Sequence, residues 1–167
     1  SRGKDVTERV EIPLANDMAD RVEELLGIRG ISKEIRELAE KMSREEVSLE
    51  MARRIAAKFA KDGKEAALDK AIRTGLAILT EGILVAPLEG ISKVYIGKNH
   101  DGSDYVSIVY AGPIRGAGGT AQALSVLIGD IVRRELGIGK FKATEDEIER
   151  YIEEIQAYNR VKHLQYL

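Results

Sequence analysis

The chain has 167 residues, of which 44% are hydrophobic and 32% charged, and its formal net charge at pH 7 is −2. A chain of this length buries enough surface to fold without a disulfide or metal, and the absence of cysteine excludes disulfides, thiolate zinc sites and cysteine nucleophiles. The net charge gives no global attraction to nucleic acid, so DNA contact would need a local basic patch. No stretch reaches the roughly 20 apolar residues of a membrane span, and we expect a cytoplasmic protein with no membrane partner.

Residues 1–63 are predicted to be a helical segment. Ser43 and Glu46 have the spacing of a capping box, which predicts the start of a helix that Gly63 closes. Apolar residues recur at helical spacing in three successive stretches, 14–25, 31–42 and 47–59.

Residues 64–142 are predicted to contain a helix, a β-hairpin, a glycine-rich turn and a central helix. Gly75 in the first of these helices would let another helix approach closely. Apolar residues alternate on both sides of an "HDGSD" turn, as Val94 with Ile96 and Val106 with Val109, which predicts an antiparallel hairpin. The stretch "TAQALSVLIGDIVRRELG" has no charge before Asp130, which predicts a centrally buried helix.

Residues 143–167 are predicted to form a last helix. Thr144 and Glu147 make a second capping box, and acidic residues in its first half with basic residues in its second match the helix macrodipole. Acids of its first turns are interpreted as a solvated face rather than a metal site: Glu145, Asp146, Glu147 and Glu149. The fold class is α+β, mostly helical, with a small antiparallel hairpin packed between helices.

The glycine-rich stretch "GPIRGAGGT" has three interpretations. Backbone N–H groups of Gly116 to Gly119, with the Arg115 guanidinium, would hold a phosphate at a helix N-terminus in a free-standing nucleotide-binding enzyme. "GAGG" also fits the G-x-x-G pattern of KH domains, although a full helix before it is missing. The favoured interpretation is a sharp strand-to-helix turn that Thr120 caps, since the spacing fails both nucleotide-binding fingerprints.

Several long stretches together resemble one family. "YAGPIRGAGGTAQALSVL", "AIRTGLAILTEGILVAPLEGISKV" and "ATEDEIERYIEEIQAY" are similar to the amino-terminal region of the large subunit of the archaeal family D DNA polymerase. "VEIPLANDMADRVEELLG" is similar to the same region in the same order, so the resemblance covers nearly the whole chain. Because the chain starts without Met and stops inside a helical pattern, we expect it to be part of a longer protein.

The resemblance implies a two-subunit replicative polymerase. Its large subunit extends DNA by metal-dependent nucleotidyl transfer, and its small subunit resembles a phosphoesterase with 3′–5′ exonuclease activity. The polymerase carboxylates and the zinc-binding cysteines of the family lie in a later region. Mg and Zn are therefore expected only in the remainder of the subunit, and no residue here is assigned as catalytic or metal-binding.

The role expected for this chain is subunit assembly together with DNA binding. The alternative is a purely structural platform for subunit assembly without DNA contact. An apolar stripe on the last helix is a candidate interface with the rest of the subunit, the small subunit or a second copy, although such stripes are most often core. Its members are Ile148, Tyr151, Ile152, Ile155 and Tyr158.

The candidate DNA-binding residues lie in the glycine-rich stretch and near the end of the helix that follows it. They are Arg115, Gly116, Gly118, Gly119, Arg133, Arg134, Lys140 and Lys142. A second basic group lies on the third helix: Arg53, Arg54, Lys58 and Lys61. The alternative for both groups is a solvated helix face with acidic partners.

Overall fold

The structure is a computed structural model that describes residues 18–81, 89–112 and 119–165. Within these ranges the chain forms six α-helices and one two-stranded antiparallel sheet, which confirms the mostly helical α+β prediction. None of the described helices is long and apolar enough to cross a membrane.

The elements follow one another in the predicted order. Helix α1 covers residues 18–26 of the described chain. The other helices are α2 (Ile31–Ala39), α3 (Arg44–Phe59), α4 (Lys64–Leu79), α5 (Gly119–Glu135) and α6 (Glu145–Gln165), with a short 3-10 turn over Ala60–Asp62. The strands are β1 (Ile91–Lys98) and β2 (Asp104–Tyr110).

Both predicted capping boxes are confirmed. The Ser43 hydroxyl accepts a hydrogen bond from the backbone N–H of Glu46 at 3.2 Å and donates one to the Glu46 carboxylate at 3.1 Å. Thr144 and Glu147 make the same two contacts, at 3.2 and 3.1 Å. Each box satisfies an N–H group that the first turn leaves without an intrahelical partner, so α3 and α6 begin where the sequence predicts.

The core lies where α3 and α4 pack together and α5 crosses both. Helix α3 belongs to the predicted segment 1–63 and α4 to the segment 64–142, so the described parts of these two segments share one core. A Cβ atom at Gly75 would lie 3.0 Å from the Cδ1 atom of Ile128, which confirms the close approach predicted at this glycine. The largest fully buried side chains are Val22, Ile31, Ile35, Met51, Ile55, Leu68, Ile72, Leu76, Ile78, Ile91 and Ile128.

The β-hairpin is confirmed, but one of its predicted apolar residues faces the other way. Val94 pairs with Ile108 and Ile96 pairs with Val106, and all four pack on the core. Val109 is exposed on the opposite face, so the alternation of Val106 with Val109 was wrong. Residues three apart in a strand point to opposite faces, and Ile108 is the inward residue.

Helix α5 is buried on one side, not centrally as predicted. Ile128 and Val132 are buried, whereas Val126 and Leu127 are 57% and 49% exposed. The stretch has no charge before Asp130, but α3, α4 and β2 cover only one of its faces in the described chain. Thr120 is the second residue of the helix, which begins at Gly119, so it does not occupy the predicted cap position.

Candidate functional site

The predicted basic group lies where α5 ends and the chain turns toward the hairpin. Gly137 has a φ of +69° there, a conformation that favours glycine. The N–H of Ile138 donates to the carbonyl of Arg133 at 2.8 Å, and the N–H of Gly137 donates to the carbonyl of Arg134 at 3.1 Å. This is the Schellman pattern of helix termination, and it sends the next residues back along β2.

Residues 139–142, here called the docked loop, are fixed to the hairpin by Asn99. This side chain is only 6% exposed, and its Nδ2 group donates to the carbonyl of Lys140 at 2.8 Å and to the Ser103 hydroxyl at 3.0 Å. Its Oδ1 atom accepts from the backbone N–H of Lys142 at 2.7 Å. Because this buried amide makes hydrogen bonds both to the hairpin and to the loop, the loop has a defined position on the hairpin.

Two side chains of the docked loop add contacts to the hairpin. The ring of Phe141 lies edge-to-face on Tyr105, with centroids 5.1 Å apart. The ammonium of Lys142 lies 2.5 Å from Asp101 Oδ2. The hydrogen bond from Lys142, followed by those from the hydroxyl and N–H of Ser103, holds the pKa of Asp101 well below its usual range. The Asp101 carboxyl group is therefore ionised at neutral pH and stays ionised into acid.

The four basic residues predicted around this turn are brought together, but in different environments. The Arg133 side chain is 12% exposed, and its Nε group donates to Asp130 at 2.8 Å. Arg134 is 63% exposed and reaches the other oxygen of Asp130 at 2.8 Å. Lys140 and Lys142 are exposed on the docked loop, and the ammonium of Lys142 is paired with Asp101. Only Arg133 is largely shielded from a large ligand.

A groove of about 290 Å³ separates β2 from α5 and ends at the docked loop. Ile108, Val126 and Phe141 give it an apolar wall, while Asp130 and Arg133 lie on its polar side. The basic group therefore borders an apolar depression.

Two members of the second basic group, Arg53 and Arg54 on α3, are paired with acidic residues. Arg53 and Arg54 both contact Glu50, at 2.9 and 3.1 Å. The hydrogen bonds from Arg53 lower the pKa of Glu50 most, with a further contribution from Arg54. Lys58 lies over the ring of Phe59, and Lys61 is exposed in the turn that follows. This arrangement agrees with the solvated-face alternative for α3.

Most of the glycine-rich stretch cannot be compared with its predictions. Arg115, Gly116 and Gly118 lie outside the described residues, and Gly119 is the first residue of α5. The phosphate and KH-like interpretations stay predictions, and so does the strand-to-helix turn apart from its cap at Thr120, which the start of α5 at Gly119 contradicts.

The apolar stripe of α6 is exposed throughout. Its five predicted members are between 42% and 65% exposed, so they are not core within the described chain. Val161 extends the stripe by one more turn and was missed, although its spacing of three from Tyr158 would have revealed it. Sequence reasoning also missed Asn99, whose partners in the docked loop lie more than 40 positions away.

The described residues contain no group of three or more His, Asp and Glu side chains placed to hold a metal ion. The described residues therefore present two candidate binding surfaces. One is the basic docked loop beside the apolar groove, and the other is the exposed apolar stripe of α6.

Comparison with known proteins tests the family resemblance. A family model described as "DNA polymerase II large subunit DP2, N-terminal" matches residues 1–167. The chain is 75% identical over 167 residues to the DNA polymerase II large subunit of Thermoplasma acidophilum and 76% identical over 165 residues to that of Thermoplasma volcanium, and these matches take in 100% and 99% of the chain. The large subunit of Methanosarcina barkeri is 56% identical over 171 residues. The chain spans 15% of the length of each of these relatives. It therefore belongs to the family of the amino-terminal region of the DNA polymerase II large subunit.

Proposed function

We propose that this chain is a non-catalytic amino-terminal module of the polymerising subunit of a two-subunit replicative DNA polymerase, contributing to subunit assembly and DNA binding. The family match over residues 1–167 is the observation that carries the proposal. Relatives named as DNA polymerase II large subunits support template-directed DNA synthesis as the activity of the whole protein. The resemblance supports a small subunit with exonuclease activity, and Mg and Zn sites in the remainder of the large subunit.

The assembly half of the proposal rests on α6. Contiguous exposed apolar residues are uncommon on monomeric proteins and mark interaction surfaces. Ile148, Ile152 and Ile155 supply the apolar surface, and Tyr151 and Tyr158 add rings of the kind enriched at interfaces. We propose the small subunit as the partner of this stripe, with self-association as the alternative outcome.

The DNA half rests on the docked loop and the end of α5. Arg134, Lys140 and Lys142 present cationic side chains to solvent within a few residues of one another, and phosphate contacts of this kind dominate non-specific DNA affinity. The largely buried Arg133 guanidinium would add positive charge beneath these exposed side chains. Arg115, Gly116 and Gly118 stay in the proposal as contacts that precede α5 in the sequence, and Gly119 as a contact at its first residue.

The test is filter binding of duplex DNA to the full-length large subunit across a salt series. The triple variant Arg134→Gln, Lys140→Gln and Lys142→Gln should weaken binding and reduce the salt slope by about two to three, since each neutralised phosphate contact contributes about 0.9. A matched control removes three exposed cations around α2, as Arg29→Gln, Lys33→Gln and Lys41→Gln. An unchanged slope in the first variant would contradict DNA contact at this loop.

The alternative is a structural platform with no DNA contact. The pairing of Arg133 and Arg134 with Asp130, and of Lys142 with Asp101, favours it, because a DNA phosphate would have to compete with these aspartates. On this alternative the triple variant and the control bind DNA equally well.

A further inference from the structure

The β-hairpin has an outer face that no helix of the described chain is seen to cover. Its strands contact α4 and α5, and those contacts engage the inner residues that pack on the core. The register places the remaining residues of both strands on the opposite face, because side chains alternate along a strand. Those residues are Lys93, Tyr95 and Gly97 on β1 and Tyr105, Ser107 and Val109 on β2.

The ring of Tyr105 lies across this outer face, over Gly97. A Cβ atom at Gly97 would lie 2.5 Å from Tyr105 Cζ and 2.8 Å from Cε1, so the ring occupies the space that a side chain at 97 would fill. The exposed ring of Phe141 then meets Tyr105 edge-to-face. Gly97 lies beneath the Tyr105 ring and Phe141 lies beside it. These two contacts hold the ring against the sheet while it stays partly exposed.

Positive charge surrounds these rings. The ammonium of Lys93 lies 5.0 Å from the centre of the Tyr95 ring, and Lys140 is exposed beside Phe141. Lys98 pairs with Asp104 and Lys142 pairs with Asp101. The hairpin and the docked loop together carry four lysines against two aspartates, which leaves a surplus of two positive charges next to the aromatic face.

We propose that this outer face is a stacking platform for the bases of single-stranded DNA, an inference that rests on the DNA-binding role proposed above. Tyr95, Tyr105 and Phe141 offer rings, and Lys93 and Lys140 meet the phosphates between stacked bases. A sheet face with aromatic rings and lysines matches the way in which single strands are bound without sequence preference. Duplex DNA keeps its base faces stacked internally, so they are not free to stack on these rings.

Photocrosslinking reports the platform directly. An oligothymidylate containing 5-iododeoxyuridine is irradiated with the full-length large subunit, and the crosslinked peptides are identified by mass spectrometry. We expect crosslinks within 93–105 or at Phe141. Crosslinks found only in other parts of the subunit would overturn the proposal.

Ring substitutions supply the second measurement. Tyr105→Leu and Phe141→Leu should each lower the affinity for oligothymidylate about tenfold, in the range expected for loss of one stacked base. Tyr105→Phe keeps the ring and should bind as the unaltered subunit does. Val109→Ala, on the same face but without a ring, is the matched control.

Gly97→Ala tests the geometry without removing a ring. The added methyl group must displace the far end of the Tyr105 side chain, which can swing outward without disturbing the core. We expect it to lower single-strand affinity while the unfolding transition is retained. This variant keeps the proposal testable if Tyr105→Leu impairs folding.

The outcomes separate the platform from the proposed DNA contact at the docked loop. Unchanged oligothymidylate affinity in the ring variants, or an equal loss on duplex DNA, would overturn stacking even where the triple cation variant flattens the duplex salt slope. Loss of small-subunit binding with intact single-strand binding would instead identify the face as a protein interface, and also overturn it. A selective loss on single strands supports the platform.

Discussion

The hydroxyl of Ser48 donates a 2.7 Å hydrogen bond to the carbonyl oxygen of Gly75, and this contact joins α3 to α4 in the middle of the core. Both residues are small and fully buried, so the two helix backbones approach closely there. The side chain of Ile128 then covers Gly75 from α5. Three helices therefore meet at a position where any added volume has little room.

Gly75→Val should destabilise the chain. Its side chain would meet Ile128 at about 3 Å and Ala52 Cβ at 3.3 Å, and overpacking of this kind costs about 1–3 kcal/mol. The better helix propensity of valine offsets only a few tenths of a kcal/mol. Urea denaturation measures the free energy of unfolding. Ala66→Val, on the exposed face of the same helix, is the control, and equal stability of the two variants would contradict the tight contact.

Asn99→Ala should release the docked loop from the hairpin. It leaves the carbonyl of Lys140 and the N–H of Lys142 without their side-chain partner, at a cost of about 1–3 kcal/mol. Hydrogen exchange at the Lys142 amide should accelerate about tenfold for each 1.4 kcal/mol lost. His100→Ala changes the exposed neighbour and should leave that exchange rate unaltered.

The ion pair between Lys142 and Asp101 should persist into acid. The pKa of Asp101 is lower in the folded chain than in the unfolded one, so the folded state binds fewer protons. Its contribution to stability is therefore complete above the ordinary aspartate pKa of about 3.9, and it is lost as the pH falls below that value toward the folded pKa.

NMR titration of the Asp101 carboxyl group measures this directly. In the unaltered chain the midpoint should lie well below 3.9, and Lys142→Met should move it toward that ordinary value. A midpoint that does not respond to Lys142→Met would contradict the assigned cause.

Ile152→Ser and Ile155→Ser on α6 should weaken assembly without unfolding the chain. Both side chains are exposed, and substitutions at exposed positions without special contacts usually change stability by less than about 0.5 kcal/mol. Light scattering of the large subunit with the small subunit should show reduced complex formation. Glu149→Ser, on another side of the helix, is the control. A stability loss above about 1 kcal/mol would instead mean that the stripe packs within the subunit itself.

Local features of the fold were predictable because their signals are local. Two capping boxes, each four residues long, determine where two helices start: Ser43 with Glu46, and Thr144 with Glu147. The "HDGSD" turn determines the hairpin. The prediction for Val109 was wrong because a spacing of three places Val106 and Val109 on opposite faces of a strand, so that Ile108 is the inward residue.

The one-sided burial of α5 had no signal in its own sequence. A helix that carries no charge before Asp130 is predicted to be buried all round, whereas Val126 and Leu127 are exposed because coverage depends on elements far away in the chain. The basic group could be predicted from composition, but its docking could not. Asn99 contacts residues 41 and 43 positions further on, and no periodic pattern records a contact at that distance.

The docked loop also fixes the point from which α6 begins. Lys142 is the last residue held by Asn99, and Ala143 alone separates it from Thr144, the residue that caps α6. Successive side chains of a helix lie about 100° apart. The connection is a short spacer, so we expect an insertion or deletion of one residue there to change the direction in which the apolar stripe leaves the hairpin without altering a single residue of the stripe.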